Sequence, residues 1–148
     1  DHDTAHDTLV NNLRFAAEEL QKANISLLIE AINTRDIPGF YVTTTDQAKL
    51  IINNVGSQNL RLQYDIYHMQ IMEGDIIRTL TENIDLFGHI HTAGNPGRND
   101  LDDEQEINYG AVCSAISSST YSGYVGHEFQ PKGDVVAALR QAFEVCDR

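Results

Sequence analysis

Gln63-Tyr64-Asp65-Ile66-Tyr67-His68-Met69-Gln70 reads as the end of a β-strand that stops on a carboxylate, with a histidine three residues beyond it. The strand begins near Leu60. Its alternation puts Leu60, Leu62 and Tyr64 on one face and Arg61, Gln63 and Asp65 on the other. An apolar core would reject that second face, so it must look into a polar space. Three other apolar runs end in the same way, Ser26 to Glu30, Phe87 to His91 and Tyr124 to Glu128. The end residues Glu30, Asp65, His91 and Glu128 recur at intervals of 35, 26 and 37 residues, the length of a βα unit.

Helical spacing fills the gaps. Thr8 to Ala23 carries an apolar stripe through Leu9, Leu13, Ala16, Ala17 and Leu20, and Thr45 to Val55 repeats the pattern before Gly56, a natural stop. Ile71 to Leu80, running toward Asn83, Tyr109 to Ile116 and Asp134 to Val145 are read as three more helices. Ile25 to Ile29 is apolar enough for a strand buried on both faces. Turn chemistry marks 33–41 and 117–123 as loops, and the Gly-, Asn- and Asp-rich stretch 93–106 exceeds a plain connector, which makes it a candidate substrate loop. The opening run Asp1 to Asp7 reads as a polar tail, with no role for His2 or His6.

Strands alternating with helices imply a parallel sheet with right-handed crossovers. Eight such units close a (β/α)8 barrel of typically 200 residues or more. The 148 residues here hold four, so the expected fold is α/β: the C-terminal half of a TIM barrel, strands 5 to 8 with their flanking helices, as one partial domain over residues 1–148.

Composition narrows the function. A formal net charge of -12 with ten scattered Lys and Arg argues against nucleic acid, because phosphate neutralisation needs clustered cations. No apolar run approaches the roughly 20 residues that cross a bilayer. Cys113 and Cys146 stand isolated, without metal-ligand spacing, and read as reduced structural thiols of a soluble, cytoplasmic protein. A small-molecule partner fits best.

In a parallel α/β sheet all strands point one way, so Glu30, Asp65, His91 and Glu128 should converge on the rim where barrel active sites lie. Taken singly, each is an ordinary solvated or rim residue; their common structural position points to one shared site. Three carboxylates and an imidazole make an oxygen-rich set suited to Mg²⁺ or Mn²⁺ rather than to a structural zinc. Without a cation, at least one of the acids should be protonated near neutral pH. His68 is placed to donate to a substrate oxygen, and Arg98 to pair with a substrate carboxylate. His89 has the inward parity of His91 but lies two residues deeper, which favours a core role, and His127 should face a helix.

The segments Leu27-Leu28-Ile29-Glu30-Ala31-Ile32-Asn33, Gln63 to Gln70, Gly88-His89-Ile90-His91-Thr92-Ala93-Gly94-Asn95-Pro96-Gly97-Arg98 and Gly126-His127-Glu128-Phe129 together resemble the hydroxypyruvate isomerase family of xylose isomerase-like barrels. The resemblance runs from about Thr8 to the end of the chain. It implies that Glu30 and Glu128 shuttle protons, that Glu30, Asp65, His91 and Glu128 form a divalent-metal site, and that hydroxypyruvate and 2-hydroxy-3-oxopropanoate (tartronate semialdehyde) interconvert through a cis-enediolate. Competing expectations are a ketose 3-epimerase using the same glutamates, an abasic-site endonuclease, disfavoured by the charge, and a catalytically incomplete half barrel that acts only in assembly. Open sheet edges predict pairing with the other half barrel or with a second copy.

Overall fold

A computed structural model describes residues 2–147. Helix α1 (His2–Gln21) leads into β1 (Leu27–Glu30), α2 (Thr45–Val55), β2 (Leu60–Asp65), α3 (Ile66–Met72), α4 (Ile76–Asn83), β3 (Phe87–Thr92), α5 (Tyr109–Ser117), β4 (Val125–His127) and α6 (Val135–Cys146). The strands form one sheet in the order β1-β2-β3-β4, and every pairing is parallel. This is the expected four-unit α/β arrangement, matching half of a barrel wall.

The face of β2 carrying Leu60, Leu62 and Tyr64 packs outward with Phe87 and Ile90 of β3 against Ile51, Ile52, Met69, Leu80, Val112 and Ile116 from the helices. Tyr64 and Phe87 stack with centroids 4.6 Å apart. Fully burying each such Leu or Ile contributes about 1.5 to 3 kcal/mol, so this layer fixes which way the polar face looks. That polar face becomes the inner wall. Between β2 and β3 the register shifts at Leu62/Gln63, and Gly88 is the extra residue. A Cβ there would meet Leu28 Cδ2 at 2.5 Å. The bulge brings Asp65 opposite His91.

Several local readings need correction. Residues 3–7 continue α1 rather than forming a tail, and His6 Nε2 lies 2.9 Å from Asn54 Nδ2; Asp1 and the His2 side chain lie outside the described residues. Arg14 of α1 donates from Nη2 to Asn54 O at 2.8 Å, so a cation closes the carbonyl end of α2. The expected single helix from Ile71 is two. The first starts directly on the strand because Asp65 Oδ1 accepts the Tyr67 N–H at 2.9 Å as an N-cap. Gly74 (φ 65°) and Asp75 (φ 45°) then turn the chain into α4. Strand β1 is not buried on both faces: Leu27 and Leu28 are half-buried. Beside this edge strand runs an apolar groove of about 390 Å³ lined by Leu9, Leu13, Leu28, Phe40 and Val42, among others. Cys113 and Cys146, far apart in sequence, bring their sulfurs to 2.8 Å across the α5–α6 contact.

The 93–106 loop is tied down. Gly94 and Asn99 exchange backbone hydrogen bonds of 2.8 and 3.2 Å, and Arg98 O accepts the Gln130 N–H at 2.7 Å. A Cβ on Gly94 would sit 2.1 Å from the backbone oxygen of Asp100, which no side-chain rotation relieves. Gly94→Ala is therefore expected to destabilise the protein by about 1 to 3 kcal/mol, read as a lowered urea midpoint; an unchanged midpoint would refute this packing.

Candidate functional site

The carboxyl ends of the four strands meet on one rim. One ligand atom from each of Glu30, Asp65, His91 and Glu128 lies within 4.8 Å of the others. Strand parity explains three of them. Glu30 ends β1, Asp65 ends β2, and His91 sits directly across from Asp65 on β3. Glu128 follows β4, and its N–H still bonds to Thr92 O at 3.0 Å, which carries the ladder one residue further and turns the side chain inward. Across from His91 on β4 stands Gly126, where a Cβ would lie 2.9 Å from His89 Nε2 and 3.1 Å from His91 Cδ2. The missing side chain makes room for both rings, which meet edge to face at 4.8 Å.

Within the cluster, His91 Nδ1 is 2.9 Å from Glu128 Oε2 and 4.0 Å from Asp65 Oδ2. Gln63, one turn of the alternation below Asp65, donates from Nε2 to Glu30 Oε2 at 2.8 Å. The other Glu30 oxygen, Oε1, is buried and has no protein hydrogen-bond partner. Buried carboxylate oxygens seldom go unsatisfied. Together with the oxygen-rich donor set, this atom fits a hard divalent cation such as Mg²⁺ or Mn²⁺. Burial, reinforced by the charges of Asp65 and Glu128, pushes Glu30 up from its ordinary value of 4.5 to about 7.

The sign of that shift gives a stability prediction. A carboxyl raised in the folded state favours folding while protonated, so its contribution is present below about pH 4.5 and lost as pH rises through about 7. With chelator present, Glu30→Gln mimics the protonated form. Its stability relative to wild type should therefore climb across that window in urea titrations at successive pH values; parallel curves would contradict the assigned environment.

His68 and Arg98 join the same site. His68, in the first turn of α3, is 2% exposed, with Nε2 3.7 Å from Asp65 Oδ2 and 4.0 Å from Glu30 Oε1. Desolvation lowers its pKa despite the nearby acids. Arg98 adopts φ 56° and donates from Nη2 to Asp65 Oδ2 at 2.8 Å and to Glu128 Oε2 at 2.6 Å. Its Nη1 lies 2.8 Å from His68 Nε2, and its guanidinium covers the Tyr67 ring at 5.1 Å. Arg98, expected to pair with a substrate carboxylate, pairs here with two acids of the cluster. His127 instead faces away, with Nδ1 2.7 Å from Thr92 Oγ1. His89 is half-buried on the inner wall rather than in the core.

Residues outside the sequence reading also shape the site. Gln63 was legible as an inward residue of β2 but carried no assigned role. Asn33, Asp36 and Tyr67 form a second tier. Tyr67 donates its hydroxyl to Asp36 Oδ2 at 2.6 Å, and Asn33 reaches both Asp36 and His68. No spacing rule identifies them, since their meeting depends on the path of the 33–41 loop.

Four parallel strands whose carboxyl ends gather acids and a histidine on one rim define an α/β protein of the half-barrel type with a polar rim. The chain belongs to the xylose isomerase-like TIM barrel family, whose profile matches residues 1–147. It is 50% identical to hydroxypyruvate isomerase of Escherichia coli (strain K12) over 135 residues, 91% of this chain and 52% of that protein. It is 39% identical to a 2-oxo-tetronate isomerase of Cupriavidus necator over 89% of this chain and 50% of that one. Among solved structures, the AP endonuclease, family 2 from Brucella melitensis superposes with a TM-score of 0.92 at 34% identity, covering 97% of this chain and 55% of its own. The chain spans about half the length of the curated relatives it matches. No helix among the described residues is long and apolar enough to cross a membrane.

Proposed function

We propose that this chain carries the proton-transfer and metal-binding rim of an isomerase that interconverts hydroxypyruvate and 2-hydroxy-3-oxopropanoate. The observation behind this is the placement of two glutamates from different strands, Glu30 and Glu128, around the atoms they share with Asp65 and His91. In the forward direction one glutamate takes a proton from the hydroxyl-bearing carbon. The C–H electron pair forms the new C=C bond as the carbonyl π pair moves to oxygen, leaving a cis-enediolate. The proton of the original hydroxyl passes to the former carbonyl oxygen, the same or the opposing glutamate returns a proton to the neighbouring carbon, and the carbonyl re-forms one carbon along. Glu30 suits either half of this cycle, because at about 7 it is divided between acid and base at neutral pH. A divalent ion held by Glu30, Asp65, His91 and Glu128 would supply Lewis-acid stabilisation of negative charge on the substrate oxygens. Arg98, with His68 beside it, binds and orients the oxo acid.

Identity to the 2-oxo-tetronate isomerase favours a second, closely related reading, a four-carbon acid handled by the same rim. Carbon-13 NMR of labelled hydroxypyruvate with protein and Mn²⁺ separates the possibilities. Migration of the carbonyl label is the expected result. Turnover of the four-carbon acid alone would shift the assignment to that substrate, and turnover of tagatose or fructose alone would make the protein a ketose 3-epimerase.

The chain forms one partial barrel domain, supplying strands five to eight, and works in an assembly. One edge of β1 and one edge of β4 lack a strand partner among the described residues. Helix α6 buries Ala138 and Ala142 but exposes Val135, Val136, Leu139 and Phe143, a stripe that asks for a partner. That partner is the complementary half barrel or a second copy. Size-exclusion chromatography should show assembly, and a stable monomer at micromolar concentration would refute it.

A further inference from the structure

We propose that Asn33 is a positioning residue that holds His68 in the tautomer bearing its proton on Nε2, so that the ring faces the carboxylate cluster as a donor to a substrate oxygen. This rests on the reading of His68 as a substrate-facing group.

Hydrogen-bond polarity carries the inference. The backbone N–H of Asp36, which can only donate, reaches Asn33 Oδ1 at 2.8 Å. That fixes the amide orientation, leaving Nδ2 to face the His68 ring, 2.7 Å from Nδ1, while it also donates to Asp36 Oδ2 at 3.1 Å. The backbone N–H of Asn33 points at the same ring nitrogen from 3.3 Å. Two donors therefore converge on Nδ1, and a proton there would face both. Asn33 is fully buried and His68 is 2% exposed, so water does not relieve such a clash. The favourable state keeps the Nδ1 lone pair, and in a neutral imidazole the proton then sits on Nε2.

On the other side of the ring the polarity is opposite to what Nε2–H needs. Its nearest carboxylate oxygens, at 3.7 and 4.0 Å, are beyond hydrogen-bond reach. Arg98 Nη1, at 2.8 Å, is itself a donor only. One donor, Arg98 Nη1, thus faces Nε2 while two face Nδ1, so the proton costs least on Nε2, and an acceptor entering beside both groups would satisfy Nε2–H and Arg98 Nη1 together. A substrate carbonyl, or the oxyanion it becomes in an enediolate, is such an acceptor. Asn33 keeps its orientation because Asp36 holds both ends of its amide, through Asn33 Oδ1 and Nδ2. Arg98 is anchored to Glu128 and Asp65 through Nε and Nη2, which leaves Nη1 as the donor that an incoming acceptor takes over.

Nitrogen-15 NMR of the side-chain imidazoles tests this, with the His68 signals identified by their loss in His68→Gln. The expected wild-type pattern is an unprotonated Nδ1 and a protonated Nε2. Asn33→Asp replaces the donor with an acceptor and should protonate Nδ1; kcat should fall by about 10² to 10³-fold, with KM changing less, as for loss of one transition-state donor. A protonated Nδ1 in the wild type, or an Asn33→Asp spectrum identical to wild type, would overturn the proposal. If that variant does not fold, the wild-type pattern alone decides. The spectrum is independent of turnover, so a protein with the Nε2–H tautomer that leaves hydroxypyruvate untouched would sink the isomerase reading and leave this one standing.

Discussion

Glu30→Gln and Glu128→Gln should each lower turnover of hydroxypyruvate by about 10² to 10⁴-fold while leaving the chain folded. The range is that of a lost positioned acid or base. Glutamine keeps the size and the hydrogen-bonding oxygen of glutamate but cannot exchange a proton. Folding should survive for different reasons at the two positions. Glu128 is exposed, and Glu30 sits in surroundings that already favour its neutral form. Circular dichroism with steady-state kinetics checks both halves of the expectation. Retained turnover in either variant would remove that glutamate from the reaction.

The largest stability effect is expected at Asp65, which is 1% exposed and does two jobs with its two oxygens. Oδ1 caps α3 at Tyr67 N, and Oδ2 accepts from Arg98. Asp65→Ala removes both. Cap loss costs about 0.5 to 2 kcal/mol, and breaking a buried ion pair about 3 to 5. Arg98 keeps Glu128 as a partner, so the lower end applies to the pair, and a total of about 3.5 to 5 kcal/mol is expected in urea unfolding. Asp65→Asn keeps the capping oxygen and should lose clearly less. Equal losses in the two variants would show that the cap contributes nothing measurable. A loss below about 1 kcal/mol in Asp65→Ala would contradict the buried pairing itself.

The inward wall was legible in the sequence because strand alternation is rigid. Once Leu60, Leu62 and Tyr64 are assigned to the helix-facing side, Gln63 and Asp65 have nowhere else to point. His91 and Glu128 follow by the same rule, since parallel strands share a direction. Helix α2 was legible because its apolar spacing runs up to Gly56, a strong stop signal that acts as the C-cap; the Thr44 N-cap appears only in the structure. What escaped was set by contacts distant in sequence. Residues 66–70 had no helical assignment in the sequence, because their helix depends on Asp65 turning its side chain back to cap it. The early turns of α1 are polar, and their partner, Asn54, lies on another helix. Arg98 has a recognisable loop setting, yet its bond to Asp65 depends on how the 94–99 turn closes. Asn33 follows the Leu27-to-Ile32 run as one more polar residue, and only the 33–36 turn reveals which ring nitrogen it addresses.

The central claim is that four side chains from four separate βα units hold one cation at the barrel rim. Calorimetric titration with Mn²⁺ tests it most directly. One ion per chain is predicted for the wild type, with binding weakened at least about tenfold in His91→Ala. No binding by the wild type, or the same affinity and stoichiometry in the variant, would contradict it.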